Sequence, residues 1–200
     1  MSHTWIQDVN QGFSSEDMGS QQVFRQTLQA MSHPAQWTPV VHDADTPQGV
    51  CATSAGIMLA LLDAECTVWL SPHLQGQPIA KWLQFHTGCT HIDDPSQADF
   101  AWVALGDIWP GLDAFSWGAD AQPQSACTIL IDVDAASAGF SAMASGPGLP
   151  EPTAVTLPTL PERFVQQRHA SFAAFPCGPD VLLCGANTVM GLPRTTALTF

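Results

Sequence analysis

Basic side chains are scarce: lysine and arginine total five in 200 residues, against eighteen aspartates and glutamates, for a net charge of −13. Nucleic acid and anionic membranes are held by many cations, so this balance excludes both as partners. It also confines any phosphate site to one or two arginines helped by backbone N–H groups. Charged residues of either sign make up only 12%, about half the usual share. A surface so short of charge is covered by neutral polar groups or by another protein, which hints at an oligomer or a complex member. No Cys-x-x-Cys pair occurs among Cys51, Cys66, Cys89, Cys127, Cys177 and Cys184. Free thiols in a reducing compartment are the expectation. The first eight residues lack a basic start followed by an apolar run, so a signal peptide is not expected. The longest strongly apolar stretch, 50–62, is too short to span a bilayer. A cytoplasmic, membrane-free protein follows as the expectation.

Familiar catalytic signatures are missing too. There is no Gly-x-Ser-x-Gly elbow, no P-loop and no Gly-x-Gly-x-x-Gly fingerprint. A pyridoxal-phosphate enzyme needs a Schiff-base lysine. The single lysine, Lys81, falls in the middle of a helical pattern beside Trp82. His86, Cys89 and His91, followed by Asp93 and Asp94, could form a zinc set only if Gly88 folds the chain back; a capped helix end with satisfied histidines is the favoured reading. Asp93-Asp94 and the pair Asp132/Asp134 are read as solvated loop acids, the commoner fate of such residues. The residues alone name no catalytic group, metal site or cofactor.

Apolar residues, 46% of the chain, suffice for a real core without staples. Residues 1–19 read as a mobile polar arm in which Trp5, Ile6 and Phe13 could dock on a neighbour. Residues 20–200 read as a single domain with no repeat and no dividing linker. A helix over 20–32, capped by Ser20, carries Val23, Phe24, Thr27, Leu28 and Met31 on one apolar face, with Arg25 on another. A short strand is predicted at 37–41. Thr53 or Ser54 caps a buried helix bearing Ile57, Met58 and Leu61. Strand 67–71 follows, then a helix from Pro78 with Ile79, Trp82 and Leu83 inward and Gly88 just past its end. A bulky run at 99–105 predicts a strand covered on both faces, and 126–133, with a central Thr-Ile-Leu-Ile run, predicts another strand. A helix is expected over 112–117, a strand 139–145 paired with 126–133, an extended connector at 150–158 and a last helix over 161–173. Helices and strands alternate early and strands dominate late. The fold class is therefore α/β, with a mixed sheet flanked by helices.

The chain is read outward from 175–196. Val181, Leu182, Leu183 and Cys184 form a short strand, Gly185-Ala186-Asn187 a three-residue loop, and 188–192 the returning strand, stopped by Pro193. The hairpin delivers Arg194, Thr195 and Thr196 to the end of a sheet. There the guanidinium either grips a carboxylate or phosphate of a ligand or, the favoured reading, pairs with a carboxylate across a subunit contact.

Taken together, Phe24-Arg25-x-x-Leu28-x-Ala30-Met31-Ser32-x-Pro34, Thr67-Val68-Trp69-Leu70-Ser71, Phe85-His86-Thr87, Phe175-Pro176 with Gly178-x-Asp180, and Cys184-Gly185 with Pro193-Arg194-Thr195-Thr196 resemble the PhnH family. This is a subunit family of the bacterial carbon–phosphorus lyase system for phosphonate breakdown. No single motif is specific; five in register over about residues 22–196 are. Two positions depart from the pattern: Ala35 stands where glycine is expected, and Pro179 where an aliphatic residue is commoner. The resemblance implies a fold like pyridoxal-phosphate-dependent transferases, without the cofactor or its lysine. It implies a homodimer within a core complex of PhnG, PhnI and PhnJ subunits. The assembly supports formation of α-D-ribose 1-alkylphosphonate 5-triphosphate from ATP and alkylphosphonate. The alternative role is a ligand-binding subunit, in which Arg194, Thr195 and Thr196, with Arg25 and His86 as neighbours, hold a phosphate or phosphonate oxygen.

Overall fold

The computed structural model describes residues 11–137, 139–161 and 163–199. The expectation of a mobile arm falls partly on residues 1–10, with Trp5 and Ile6, which lie outside them. Helix α1 (Glu16–Ser32) begins four residues before the Ser20 cap predicted from sequence. Ser15 takes the extended cap conformation, and Glu16 and Asp17 sit in the first turn, where carboxylates favour the positive end of the helix. The buried face is Val23, Thr27 and Ala30, one helical stripe. Phe24 and Leu28 were expected on it but stand 47% and 56% exposed. They fall outside the narrow stripe that α1 buries, and the Thr27 hydroxyl is accommodated inside by donating to Val23 O at 2.9 Å.

The helices continue with α2 (Ala52–Leu61), α3 (Pro72–Gln75), α4 (Ile79–Thr87) and α5 (Phe164–Ala173). The strands are β1 (Trp37–Pro39), β2 (Thr67–Leu70), β3 (Thr90–His91), β4 (Phe100–Val103), β5 (Trp117–Ala119), β6 (Gln122–Ala126), β7 (Thr128–Asp132), β8 (Phe140–Ser145), β9 (Thr153–Leu157), β10 (Asp180–Cys184), β11 (Thr188–Leu192) and β12 (Ala197–Thr199). Seven of them form a mixed sheet in the order β1-β11-β10-β7-β4-β2-β3. β10, β7, β4, β2 and β3 run parallel; at one edge β11 is antiparallel to β10, and β1 is antiparallel to β11.

Alternation along these strands builds two cores. Val68, Leu70, Trp102, Leu130, Leu182 and Val189 face α1, α2 and α4. Trp69, Ala101, Val103, Ile129, Ile131, Val181 and Leu183 face the opposite layer. That layer contains α5 and a second sheet in the order β12-β8-β9. Here two expectations fail. β8 pairs with β9 and β12 rather than with β7, because both flanks of β7 are already taken by β4 and β10. The proline-bounded segment expected as a connector supplies β9. The helix expected over 112–117 is a 3-10 turn, Leu112–Ala114, followed by β5.

Local chemistry explains the other boundaries. Thr53 and Ser54 lie inside α2 rather than capping it; Cys51 takes the cap position. Gly88 ends α4 with φ 76°, as its sequence position predicts. α5 starts at Phe164, three residues after Pro161. The hairpin runs as predicted, with Val181 opposite Leu192 and Cys184 opposite Val189. All six cysteines are free thiols.

Ala35 has φ 61°, in the left-handed region. Its N–H is held by Gly191 O at 3.0 Å, at the turn from α1 into β1. A side chain pays about 1–2 kcal/mol for this conformation, which explains why glycine is the expected residue there. Ala35→Gly should therefore stabilise the chain by about 0.5–1 kcal/mol once the greater freedom of the unfolded glycine is subtracted. A urea titration of both proteins measures the difference.

Candidate functional site

Arg194 does pair with a carboxylate, but one from its own chain. Its Nη2 lies 2.6 Å from Asp180 Oδ2, its Nε 3.2 Å from the same oxygen, and its backbone N–H donates to Asp180 Oδ1 at 2.7 Å. Nη1 donates to Pro123 O. Both side chains are mostly buried, 16% and 17% exposed. Two of the motifs, Gly178-x-Asp180 and Pro193-Arg194, are thus the two halves of one ion pair. It ties the start of β10 to the end of β11.

Behind this pair lies Arg168, on α5 and fully buried. Its Nη1 donates to Pro179 O at 3.0 Å, and its Nη2 to Pro193 O and, at 3.4 Å, to Thr196 O. Burial pulls this guanidinium down to about 10, while Asp180 opposes the shift. Thr196 is buried, and its N–H donates to Pro193 O at 2.8 Å; Thr195 is half-buried. Arg194, Thr195 and Thr196 are therefore built into a structural knot.

Arg25 stands exposed on α1. His86, half-buried on α4, packs edge-on to Trp82 and Phe85. The cavity that His86 lines includes Gly12 and Phe13 but neither Arg25 nor Arg194. Lys81 is exposed on α4. Cys89 is buried, and His91 Nε2 donates to Ala80 O at 2.6 Å, with burial lowering its pKa. Among the described residues no three His, Cys, Asp or Glu side chains converge as a metal set.

A different site emerges at the carboxyl ends of the parallel strands. From β2 the chain passes to β3 on one side and then to β4 on the other, so the order in which strands are added reverses between β2 and β4. Crevices at such reversals are where open α/β sheets bind ligands. A cavity of about 590 Å³ opens there, lined by residues that follow β2 (His73, Leu74), β4 (Ala104, Leu105) and β10 (Gly185, Ala186), and by Val50 and Cys51 ahead of α2. Asp132, the last residue of β7, forms part of its floor.

Asp132 was expected to be a solvated loop acid. It is instead 7% exposed. Ser54 Oγ donates to its Oδ1 at 2.5 Å, and Trp102 Nε1 donates to the same oxygen at 2.9 Å. Burial pushes its pKa up to about 6, against the lowering effect of the bonds from Ser54, Trp102 and Cys51. The Cys51 thiol, raised chiefly by burial and further by Asp132, donates to Gly185 O at 3.4 Å. Thr53 Oγ1 donates to Ala186 O at 3.0 Å, fixing the hairpin loop over the start of α2. Asp134, two residues on, is exposed on the rim. Among the described residues no lysine or arginine lines this cavity. The sequence carried one signal for it: Asp132 follows Leu130 by two in an otherwise apolar strand, so it shares that residue's helix-facing side.

Residues 11–199 match the family model described as bacterial phosphonate metabolism protein (PhnH). A curated relative, the alpha-D-ribose 1-methylphosphonate 5-triphosphate synthase subunit PhnH of Rhizobium meliloti (strain 1021), is 31% identical over 186 residues, covering 93% of each chain.

Proposed function

The chain belongs to the PhnH family of bacterial phosphonate metabolism proteins, and from that premise we propose that it is a subunit of the carbon–phosphorus lyase core complex. In this role it supports formation of α-D-ribose 1-alkylphosphonate 5-triphosphate from ATP and alkylphosphonate, and completes no active site alone. One observation carries the reading: fully buried Arg168 and mostly buried Arg194 are both consumed internally. Arg168 holds three carbonyl oxygens, and Arg194 holds Asp180 and Pro123 O. ATP and phosphonate are polyanions that call for free cations, and the strand-end cavity is lined by none from lysine or arginine. The low surface charge favours a chain covered by others: a homodimer joined to PhnG, PhnI and PhnJ in the cytoplasm. The pyridoxal-phosphate transferase likeness of the fold belongs to the same proposal. It draws support from the mostly parallel sheet with a cavity at its strand ends. Lys81 lies outside that cavity, in keeping with a subunit that works without the cofactor.

The competing role gives Arg194 to a shared phosphate or phosphonate site. Growth on methylphosphonate as sole phosphorus source separates the two, in a strain lacking this gene and complemented with Arg194→Ala. The assembly role predicts that growth and co-purification with PhnG, PhnI and PhnJ fall together, since the ion pair shapes the sheet end. Lost growth with intact co-purification would favour the ligand role.

A further inference from the structure

We propose that the strand-end cavity is a binding site for a small organic cation, whose positively charged nitrogen sits over Asp132 while its apolar body rests on Val50, Leu74 and Ala104. The site lies apart from the assembly role above and stands or falls without it.

The cavity has the volume of a small-molecule site. Its walls are mainly aliphatic, and its most buried charged side chain is the Asp132 carboxylate. Ser54 and Trp102 both donate to Oδ1, fixing the Asp132 side chain, and neither of these bonds uses Oδ2. Neutral donors, the Cys51 thiol included, do not cancel a buried charge, and a carboxylate in such a place is normally paired with a cation. Here no lysine or arginine among the lining residues supplies one. The other ionisable groups at the cavity are Asp134, His73 and the thiols of Cys51 and Cys184. Asp134 adds negative charge at the rim. His73 is exposed on α3 rather than set against Asp132. An anion entering would face two carboxylates and neither lysine nor arginine. A cation would complete the pair in a low-dielectric setting, where such contacts are strongest. Burial, which raises the pKa of Asp132, is also what strengthens a charge pair at this place.

Three probes of nearly equal shape read the charge preference directly: benzylammonium, benzyl alcohol and benzoate. Each is titrated at pH 7.5 into the full chain, with the Trp102 indole N–H followed by heteronuclear NMR. Benzylammonium should shift that resonance and bind at least tenfold more tightly than benzyl alcohol, with benzoate weakest. Asp132→Asn keeps the oxygen that accepts from Ser54 and Trp102 but loses the charge, so it should erase the tenfold preference. Ala136→Phe, on the exposed rim with Asp132 intact, should block the cation by filling the mouth; it carries the test even if the first variant fails to fold. Equal affinity for benzylammonium and benzyl alcohol, tighter binding of benzoate or inorganic phosphate, or a preference that survives both variants would each overturn the proposal.

Discussion

Arg168→Ala should cost the folded chain about 3–5 kcal/mol, the range for removing one partner from a buried charged network. The side chain is fully buried, and the three carbonyl oxygens it holds, on Pro179, Pro193 and Thr196, come from both flanks of the hairpin. Alanine takes this donor from Pro179 O and Thr196 O, at about 1–3 kcal/mol for each one that water cannot reach, while Pro193 O keeps the N–H of Thr196. It also opens a void beneath α5 and removes a positive charge that Asp180 feels. Arg168→Lys should rescue little, since one ammonium cannot reproduce a planar fork that reaches three acceptors. Urea unfolding followed by circular dichroism gives the number, as a lowered midpoint with an unchanged slope. A loss under about 1 kcal/mol would mean that the knot is not what holds α5 to the hairpin.

The second large effect concerns pH. The folded state holds the Asp132 proton up to about 6, against an ordinary carboxyl value of 3.8. Between these values the native chain binds more protons than the unfolded one. This group's contribution is therefore fully present below about pH 4 and is lost as pH rises through about 6. The difference corresponds to about 3 kcal/mol. Asp132→Asn lacks the titration, so its stability relative to the parent should climb by up to that amount from pH 4 to pH 7. Comparing the two proteins is essential, because other carboxylates shift the opposite way: bonds to Ser14 and to Ser96 lower Asp43 and Asp94. The groups packed on Asp132 confuse little. Ser54 and Trp102 do not titrate in this range, and burial raises Cys51 and Cys184 above their ordinary value. Parallel stability curves for parent and variant would show that Asp132 is solvated like an ordinary loop acid.

Much of the fold was legible because pattern and chemistry agreed. The hairpin around Gly185, the Gly88 stop and the buried α2 all follow from local residues whose constraints nothing distant overrides. The failures share a physical origin in pairing and depth. Gly139–Ser145 looks like a strand and is one, but nothing local says that β4 and β10 already occupy the flanks of β7. Phe24 and Leu28 sit at helical spacing, yet the stripe that α1 buries is narrower than their apolar count suggests. Arg168 passed unnoticed as one polar residue of a helix. Its place four residues after Phe164 and three before Ser171, both buried, puts it on the inward face. Asp132 reads from the sequence as an acid of a loop pair, although strand alternation turns it toward α2. The motif residues of 175–196 were located correctly, but their shared purpose, one arginine for one aspartate, needed the third dimension.

The proposed role makes this chain a working member of a phosphonate assembly rather than a protein that acts alone. Native mass spectrometry of the chain, by itself and co-expressed with the neighbouring PhnG, PhnI and PhnJ subunits, decides between the two. A homodimer is expected from the chain alone, and a stable mixed complex containing all four kinds of subunit when co-expressed. A chain that stays apart from those partners would contradict the proposed role.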